Sequence, residues 1–395
     1  MDAQMPTIRR ILVVIPTSTY TQRQLLEGLL AYTHEKEGEP WLLHLDLNDL
    51  SEQRLKDLKA WRCDGIVAYI LNDGERRSFA ATGLPAVFIE PTLAEATTMM
   101  PPNIVTFVND HAEEGRTAAE YFLKRMFRTF AYIGTTKPTV WSAERAKGFA
   151  ERLAEDGFSP HVYDPPCGSE QDDFAMEARR LVLWLKSLPK PAALFCVHDR
   201  RAQQVIATAQ LAGIRVPEDI AVLGVDNDEL LCEMTVPAIS SIPVGDRERG
   251  KMVGRALDAL IARKAVPRVH ISRHTSVISR RSTDASAVDD VFLARAMSYA
   301  RAHMSDRPTI DDISAAAGCS RTLLNKRARI AFGHSFGREL ARVQLDHAMH
   351  LLRSTDLTVE AISMESGFCG ASHLGSRMKA AFGITPNACR RGNVP

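Results

Sequence analysis

Two copies of one short pattern stand in tandem near the end of this chain, and few folds accommodate them. The first runs from Thr309-Ile310-Asp311-Asp312-Ile313 through Gly318 to Phe332-Gly333-His334-Ser335. The second runs from Thr358-Val359-Glu360-Ala361-Ile362 through Gly367 to Phe382-Gly383-Ile384-Thr385-Pro386. Each reads as a short helix of apolar period, a turn carrying a glycine, and a second helix closed by another glycine, which is the pattern of a helix-turn-helix. Two such units in succession predict a DNA-binding module of helices alone.

The second helix of the first unit has chemistry to match. After Ser320, an expected N-cap, Leu324 and Ala328 fall inward at i, i+4 spacing, leaving Arg321, Thr322, Asn325 and Lys326 outward to read bases. Arg327 and Arg329 are expected on phosphates. In the second unit the corresponding readers are Ser372, His373, Ser376 and Arg377. A run of charge alone more often marks a solvated helix face, but that reading leaves the repetition of the whole unit unexplained.

On these residues, Thr309 to Arg391 resembles the DNA-binding domain of AraC-type transcription regulators. The resemblance implies two recognition helices in neighbouring major-groove segments, joined by a long helix, here Ser335 to Leu352 with its stripe of Phe336, Leu340, Val343, Leu351 and Leu352. The closing signature is kept in Ala361-Ile362, Gly367-Phe368, Lys379, Phe382-Gly383, Thr385-Pro386 and Arg390. It departs in the second recognition helix, where Ser376 replaces the usual arginine and Arg377 follows one position later.

The rest of the chain follows another rule. At 395 residues it exceeds a single typical core, and 45% hydrophobic with 25% charged residues is the composition of a soluble globular protein. Net charge is +1, yet residues 285–395 hold 14 basic against 10 acidic residues, so one end is suited to a polyanion. The seven cysteines show no C-x-x-C spacing, which argues against a disulfide framework and a zinc site. The apolar run Ile11 to Ile15 is too short for a signal peptide, and no stretch reaches membrane-spanning length. These features predict a cytoplasmic protein without metal or cofactor.

Short apolar runs at Ile11 to Ile15, Gly65 to Ile70, Ala86 to Glu90, Phe130 to Gly134, Ala192 to Val197 and Ala221 to Val225 read as buried parallel strands. Amphipathic segments lie between them, among them Arg23 to Ala31, Ala112 to Lys124, Glu144 to Ala154, Arg201 to Ala212 and Gly250 to Ala262. This alternation predicts a doubly wound α/β fold in two lobes, with its ligand beyond the carboxyl ends of the strands. Polar residues collect there: Thr17, Ser18 and Tyr20 after the first strand, Trp141 and Arg145 after Phe130 to Gly134, His198 and Asp199, and Asp226 after the last. Carboxylates and a guanidinium suit the hydroxyls of a small polar ligand, and an indole suits its apolar face. No nucleophile, phosphate loop or metal cluster accompanies them, so no residue is assigned a catalytic role.

Asn109-Asp110-His111 with Gly115 and Ala118-Ala119, Phe130-Ala131-Tyr132-Ile133-Gly134, Arg145-x-x-Gly148-Phe149, Val216-Pro217-Glu218-Asp219-Ile220-Ala221-Val222 and Gly224-Val225-Asp226-Asn227 together resemble the effector-binding core of LacI-type regulators. That core has the periplasmic-binding-protein fold, and the resemblance implies that Arg145 and Asp226 hold the effector. LacI-type chains begin with their own helix-turn-helix. Here the core starts almost at once and the DNA module stands at the other end, the arrangement of the xylose-operon activator family, matched also by Val277-Ile278-Ser279-Arg280-Arg281-Ser282-Thr283-Asp284. The resemblance implies a sugar-responsive activator of xylose or other pentose genes, acting as a homodimer on an operator with RNA polymerase as a further partner.

The expected domains are a sensor over 1–284, with lobes 8–109 plus 245–270 and 110–244 plus 271–284, and a DNA-binding domain over 285–395. Near alternatives are a repressor or a regulator responding to a different sugar or a sugar derivative. More distant ones are a carbohydrate-binding protein or a sugar-metabolising enzyme, and both leave the tandem helix-turn-helix unused.

Overall fold

The computed structural model describes residues 8–36, 40–46, 61–70, 72–89, 101–137, 139–163, 174–245, 247–284, 291–355 and 357–390. Glu90, Cys167 and Arg391 lie outside them.

The chain begins with β1 (Arg9–Val14), α1 (Tyr20–Glu35), β2 (Trp41–Asp46), β3 (Gly65–Tyr69), α2 (Asp73–Ala80), β4 (Ala86–Ile89) and β5 (Ile104–Asn109). It then crosses to α3 (His111–Leu123), β6 (Thr129–Ile133), α4 (Val140–Ala154), β7 (His161–Val162), α5 (Phe174–Ser187), β8 (Ala192–Cys196), α6 (Asp199–Leu211), β9 (Ile220–Asp226), α7 (Glu229–Met234) and β10 (Ser240–Pro243). A return crossing gives α8 (Arg247–Ile261) and β11 (Val269–Ser272), and a third brings Ile278 against Ser241 beside β10. Two all-parallel sheets result, β11-β5-β4-β3-β1-β2 and β10-β9-β8-β6-β7. Because β11 runs to Ser272 beside β5, residues 271 and 272 belong with the first sheet rather than with the second lobe, where the sequence pattern had suggested them.

Both sheets are covered on two faces. In the first, α1 and α8 pack on one side with Val13, Val67 and Leu257, and Phe79 of α2 packs on the other with Phe88. In the second, α3 and α4 pack on one side around Phe130, Phe149 and Phe195, while α5 and α6 pack on the other around Leu181, Leu194 and Val205. Strands buried on both faces are mostly apolar, which is why β1, β3, β4, β6, β8 and β9 read as continuous runs.

The last part is all helix: α9 (Val291–Ala302), α10 (Ile310–Ala317), α11 (Arg321–Phe332), α12 (Phe336–Ser354), α13 (Val359–Glu365), α14 (Ala371–Phe382) and α15 (Pro386–Arg390). The turns after α10 and α13 pass through Gly318 and Gly367, each at φ 75, a left-handed conformation that costs glycine nothing. The long helix α12 serves two cores. Phe336 joins Leu293, Ile313 and Leu324, while Leu345, Ala348 and Leu352 join Ile362, Leu374 and Met378. Each helix-turn-helix therefore has its own apolar centre on a shared axis. Among the described residues no helix is long and apolar enough to cross a membrane.

Candidate effector cleft and DNA-binding face

The cleft starts from two glycines. Where α3 crosses α4, a Cβ at Gly148 would lie 1.9 Å from the Ala112 carbonyl oxygen, and one at Gly115 would lie 2.1 Å from that of Arg145. The two backbones therefore touch. That approach puts Glu114, the neighbour of Gly115, against Arg145, one turn before Gly148. Arg145 Nε donates to Glu114 Oε2 at 2.6 Å and Nη1 donates to the Val197 carbonyl at 2.5 Å. The guanidinium lies over the Trp141 indole, 5.1 Å from its centroid, and the His198 ring stands 6.1 Å from the same indole.

Electrostatics ties Asp226 to this group. Burial disfavours the Arg145 charge, but Glu114 and Asp226 outweigh it and raise its pKa. Burial likewise opposes ionisation of Glu114, but Arg145 and the His111 ring hold its carboxyl down at about 2. His198 is pushed down to about 4, first by burial and then by Arg145. It is neutral near pH 7, and its Nδ1 accepts the Arg201 N–H as the cap of α6, so Nε2 carries the proton.

The end of β9 is strained. Asp226 and Asn227 have φ of 106 and 51, which costs on the order of 1–3 kcal/mol for each non-glycine residue. Asp199 holds them there. Its Oδ1 accepts from Ser241 at 2.6 Å and its Oδ2 accepts from the Asp228 N–H at 2.9 Å, while Ser241 Oγ accepts from Asn227 N–H at 3.0 Å. A Cβ at Gly224 would lie 2.2 Å from Asp199 Oδ1, so the glycine of the Gly-x-Asp-Asn segment makes room for that bracket. The expectation of Asp199 as a ligand contact is corrected here. It is buried, its oxygens are committed to the loop, and it supports the cleft from behind.

Lobe one contributes the start of α1. Tyr20 is half-buried, and its hydroxyl pKa is raised by burial and then by Glu229 and Asp228 of the other lobe. Arg23 reaches Asp228 across the cleft at 3.9 Å. Of the other predicted residues, Ser18 is exposed and donates to Gln22, and the carbonyl of Thr17 accepts from Arg23. These bonds stay within the start of α1. Glu114 and Arg23 are not singled out by the sequence pattern, and His111 appears in it only as part of a motif, with no role at the site. The pairing of Glu114-Gly115 with Arg145-x-x-Gly148 is the one available signal.

On the DNA-binding face, Ser320 caps α11 by accepting the Leu323 N–H, as expected, and Arg321, Thr322, Lys326 and Arg329 are exposed. Two expectations are corrected. Asn325 Oδ1 accepts the Phe336 N–H at 3.1 Å and its Nδ2 donates to Arg321 O at 3.1 Å, so its amide closes the start of α12 and is not offered to a base. Arg327 lies over the Phe292 ring at 5.0 Å and packs α11 on α9. In α14, Ser372, His373, Ser376 and Arg377 are exposed. His373 packs edge-on against Phe368 at 5.4 Å, and Ser376 donates to the Ser372 carbonyl.

Comparison with known proteins agrees with both halves. Residues 119–283 match the periplasmic binding protein-like domain and residues 313–392 match a helix-turn-helix domain. The xylose operon regulatory protein of Escherichia coli K12 is 27% identical over 387 residues, covering 97% of each chain. The transcriptional regulator GntR of Pseudomonas aeruginosa is 30% identical over 247 residues, covering 61% of this chain and 68% of the relative. A solved structure of the xylose-binding transcription activator XylR matches with TM-score 0.63 at 25% identity, over 98% of this chain and 99% of that one. The chain belongs to the transcription regulators that pair a periplasmic-binding-protein-like sensor with a helix-turn-helix module. This chain is a DNA-binding transcription regulator.

Proposed function

We propose that the regulator is an activator whose lobes close on a pentose, xylose first, and that it works as a homodimer on a cytoplasmic operator with RNA polymerase as a further partner. The observation that carries the effector site is Arg145 lying over Trp141 in lobe two, with Asp226 close enough to favour its charge, and Arg23 of lobe one reaching Asp228 of lobe two beside Tyr20. An aromatic face beside fixed charged donors and acceptors is the usual chemistry of sugar recognition. The xylose-related names of the relatives that span the whole chain support the choice of sugar.

A ligand touching both lobes stabilises the closed form by its differential affinity alone. The path to the DNA module starts at the strained loop. Arg280 Nη1 donates to Asn227 Oδ1 at 2.9 Å and to the Ile239 carbonyl at 3.0 Å. Four residues on, Asp284 binds Arg301 of α9 at 2.7 Å. Between them the Tyr121 hydroxyl meets Ser279 and Thr283 at 2.8 and 2.6 Å. Beside this strap a cavity of about 420 Å³ opens among α3, residues 275–280 and α12, leaving room for the two parts to shift. On DNA, Arg321, Thr322 and Lys326 read bases in one groove and Ser372, His373, Ser376 and Arg377 in the next, with Arg329 on phosphate.

Calorimetric titration with D-xylose, other pentoses and hexoses tests the effector assignment. Xylose binding that Asp226→Asn loses, with operator binding retained, is the expected result. A variant that keeps full sugar affinity removes Asp226 from the site.

A further inference from the structure

The cleft holds one charged group that sugar recognition alone does not require. Glu114 is 0% exposed. Its Oε2 takes Arg145 Nε at 2.6 Å and lies 3.2 Å from His111 Nδ1, while its Oε1 is buried without a hydrogen-bond partner. An enclosed carboxylate is costly, and an apolar side chain of similar size would often fill such a space as well or better. The charge itself therefore needs a reason.

Arg145 supplies one. Its guanidinium is held at Nε by Glu114 and at Nη1 by the Val197 carbonyl, and its Cζ lies over the Trp141 ring. Glu114 matches its positive charge one for one before any ligand arrives. Asp226 adds a second negative charge close enough to act on Arg145, and Asp228 faces the cationic Arg23 at 3.9 Å. At Arg145 itself the two carboxylates that act on it, Glu114 and Asp226, outnumber its single positive charge. In an enclosed site, where water screens poorly, that balance opposes an anion and leaves hydroxyl groups unaffected.

We propose that Glu114 sets the charge class of the effector: by holding Arg145 and cancelling its charge, it makes the guanidinium a hydrogen-bond donor to an uncharged polyol and denies it to a carboxylate or phosphate. The inference rests on the sugar reading of the same cleft. Glu114 is a positioning residue, acting on the ligand through Arg145. Its neighbour Gly115 ties that position to the helix crossing, so a longer reach or a different angle is not available to the carboxylate.

The test compares D-xylose with D-xylonate, the acid of the same carbon skeleton, by calorimetry on the full-length wild type and on Glu114→Gln. Wild type is expected to bind xylose at least a hundredfold more tightly than xylonate. In Glu114→Gln that ratio is expected to shrink at least tenfold, with xylose weakened and xylonate strengthened. A second readout needs no ligand. The Arg145 Nε–H resonance, identified by its loss in Arg145→Lys, is expected to be slow to exchange in wild type and fast in Glu114→Gln. Equal binding of the two compounds by wild type, or an unchanged ratio in the variant, overturns the proposal. If wild type binds neither compound, the pentose assignment fails, and the resonance decides for Glu114 separately. Absence of a protected Nε–H in wild type overturns the proposal even where the variant does not fold.

Discussion

Replacing Gly148 by alanine adds a single methyl group, and its consequences can be worked out from the helix crossing. The new Cβ would stand 1.9 Å from the Ala112 carbonyl oxygen, with that residue's Cα at 2.8 Å. Both obstacles are backbone, so no rotamer change relieves them. Restoring an ordinary contact near 3.4 Å requires α3 and α4 to part by about 1.5 Å. The Arg145 to Glu114 distance of 2.6 Å would then open to about 4 Å, beyond hydrogen-bond reach. Overpacking costs about 1–3 kcal/mol, and a lost charged hydrogen bond costs about 1.5–3 kcal/mol. Better helix propensity returns about 1 kcal/mol. The net expectation is a loss of about 1.5–5 kcal/mol together with at least tenfold weaker sugar binding. Urea unfolding followed by tryptophan emission, and calorimetric titration of the effector, measure the two effects. Gly375→Ala serves as the control, because its Cβ would meet only Pro386 Cδ at 3.9 Å and should stabilise α14 by about 1 kcal/mol. A Gly148→Ala protein with wild-type stability and wild-type sugar affinity would refute the reasoning.

Three further outcomes are expected. His198 titrates at about 4 in the folded chain against an ordinary 6.5. The unfolded chain therefore takes up the proton first, and a contribution of about 3 kcal/mol, complete above pH 6.5, is lost as pH falls toward 4. His198→Asn, which can still cap α6, should flatten the stability profile in that window; an unchanged slope would show that the ring does not carry it. Arg280→Ala should keep sugar and operator binding while bringing the ratio of operator affinities with and without sugar close to one, and sugar affinity measured with and without operator must change by the same factor; a preserved ratio would place the coupling elsewhere. Asn325→Ala should cost about 1 kcal/mol of capping and weaken binding to all operators alike, measured on a panel of single-base variants; relaxed preference at one position would restore it as a base reader.

The tandem repeat, the apolar strand runs and the residues that cap helices are short-range signals, since period, cap and turn each depend on a few neighbouring residues. From them the amino-acid order alone yields the two α/β lobes, the helical module and Ser320 as a cap, and the family resemblance adds the pairing of Arg145 with Asp226. Strand β5 is hidden in the sequence because Thr106 and Asn109, both buried, interrupt its apolar run. Short or edge strands such as β2 and β7 carry too little pattern to stand out. Asp199, Asn325 and Arg327 fall in the regions expected of them but meet other partners. Those partners, Ser241, Phe336 and Phe292, are distant in the chain or on other elements, and only packing decides which polar atom a side chain meets. Glu114 shows the same division. The sequence by itself determined a glycine beside it and another near Arg145, whereas only the crossing of two helices made those glycines a contact and joined the two charges.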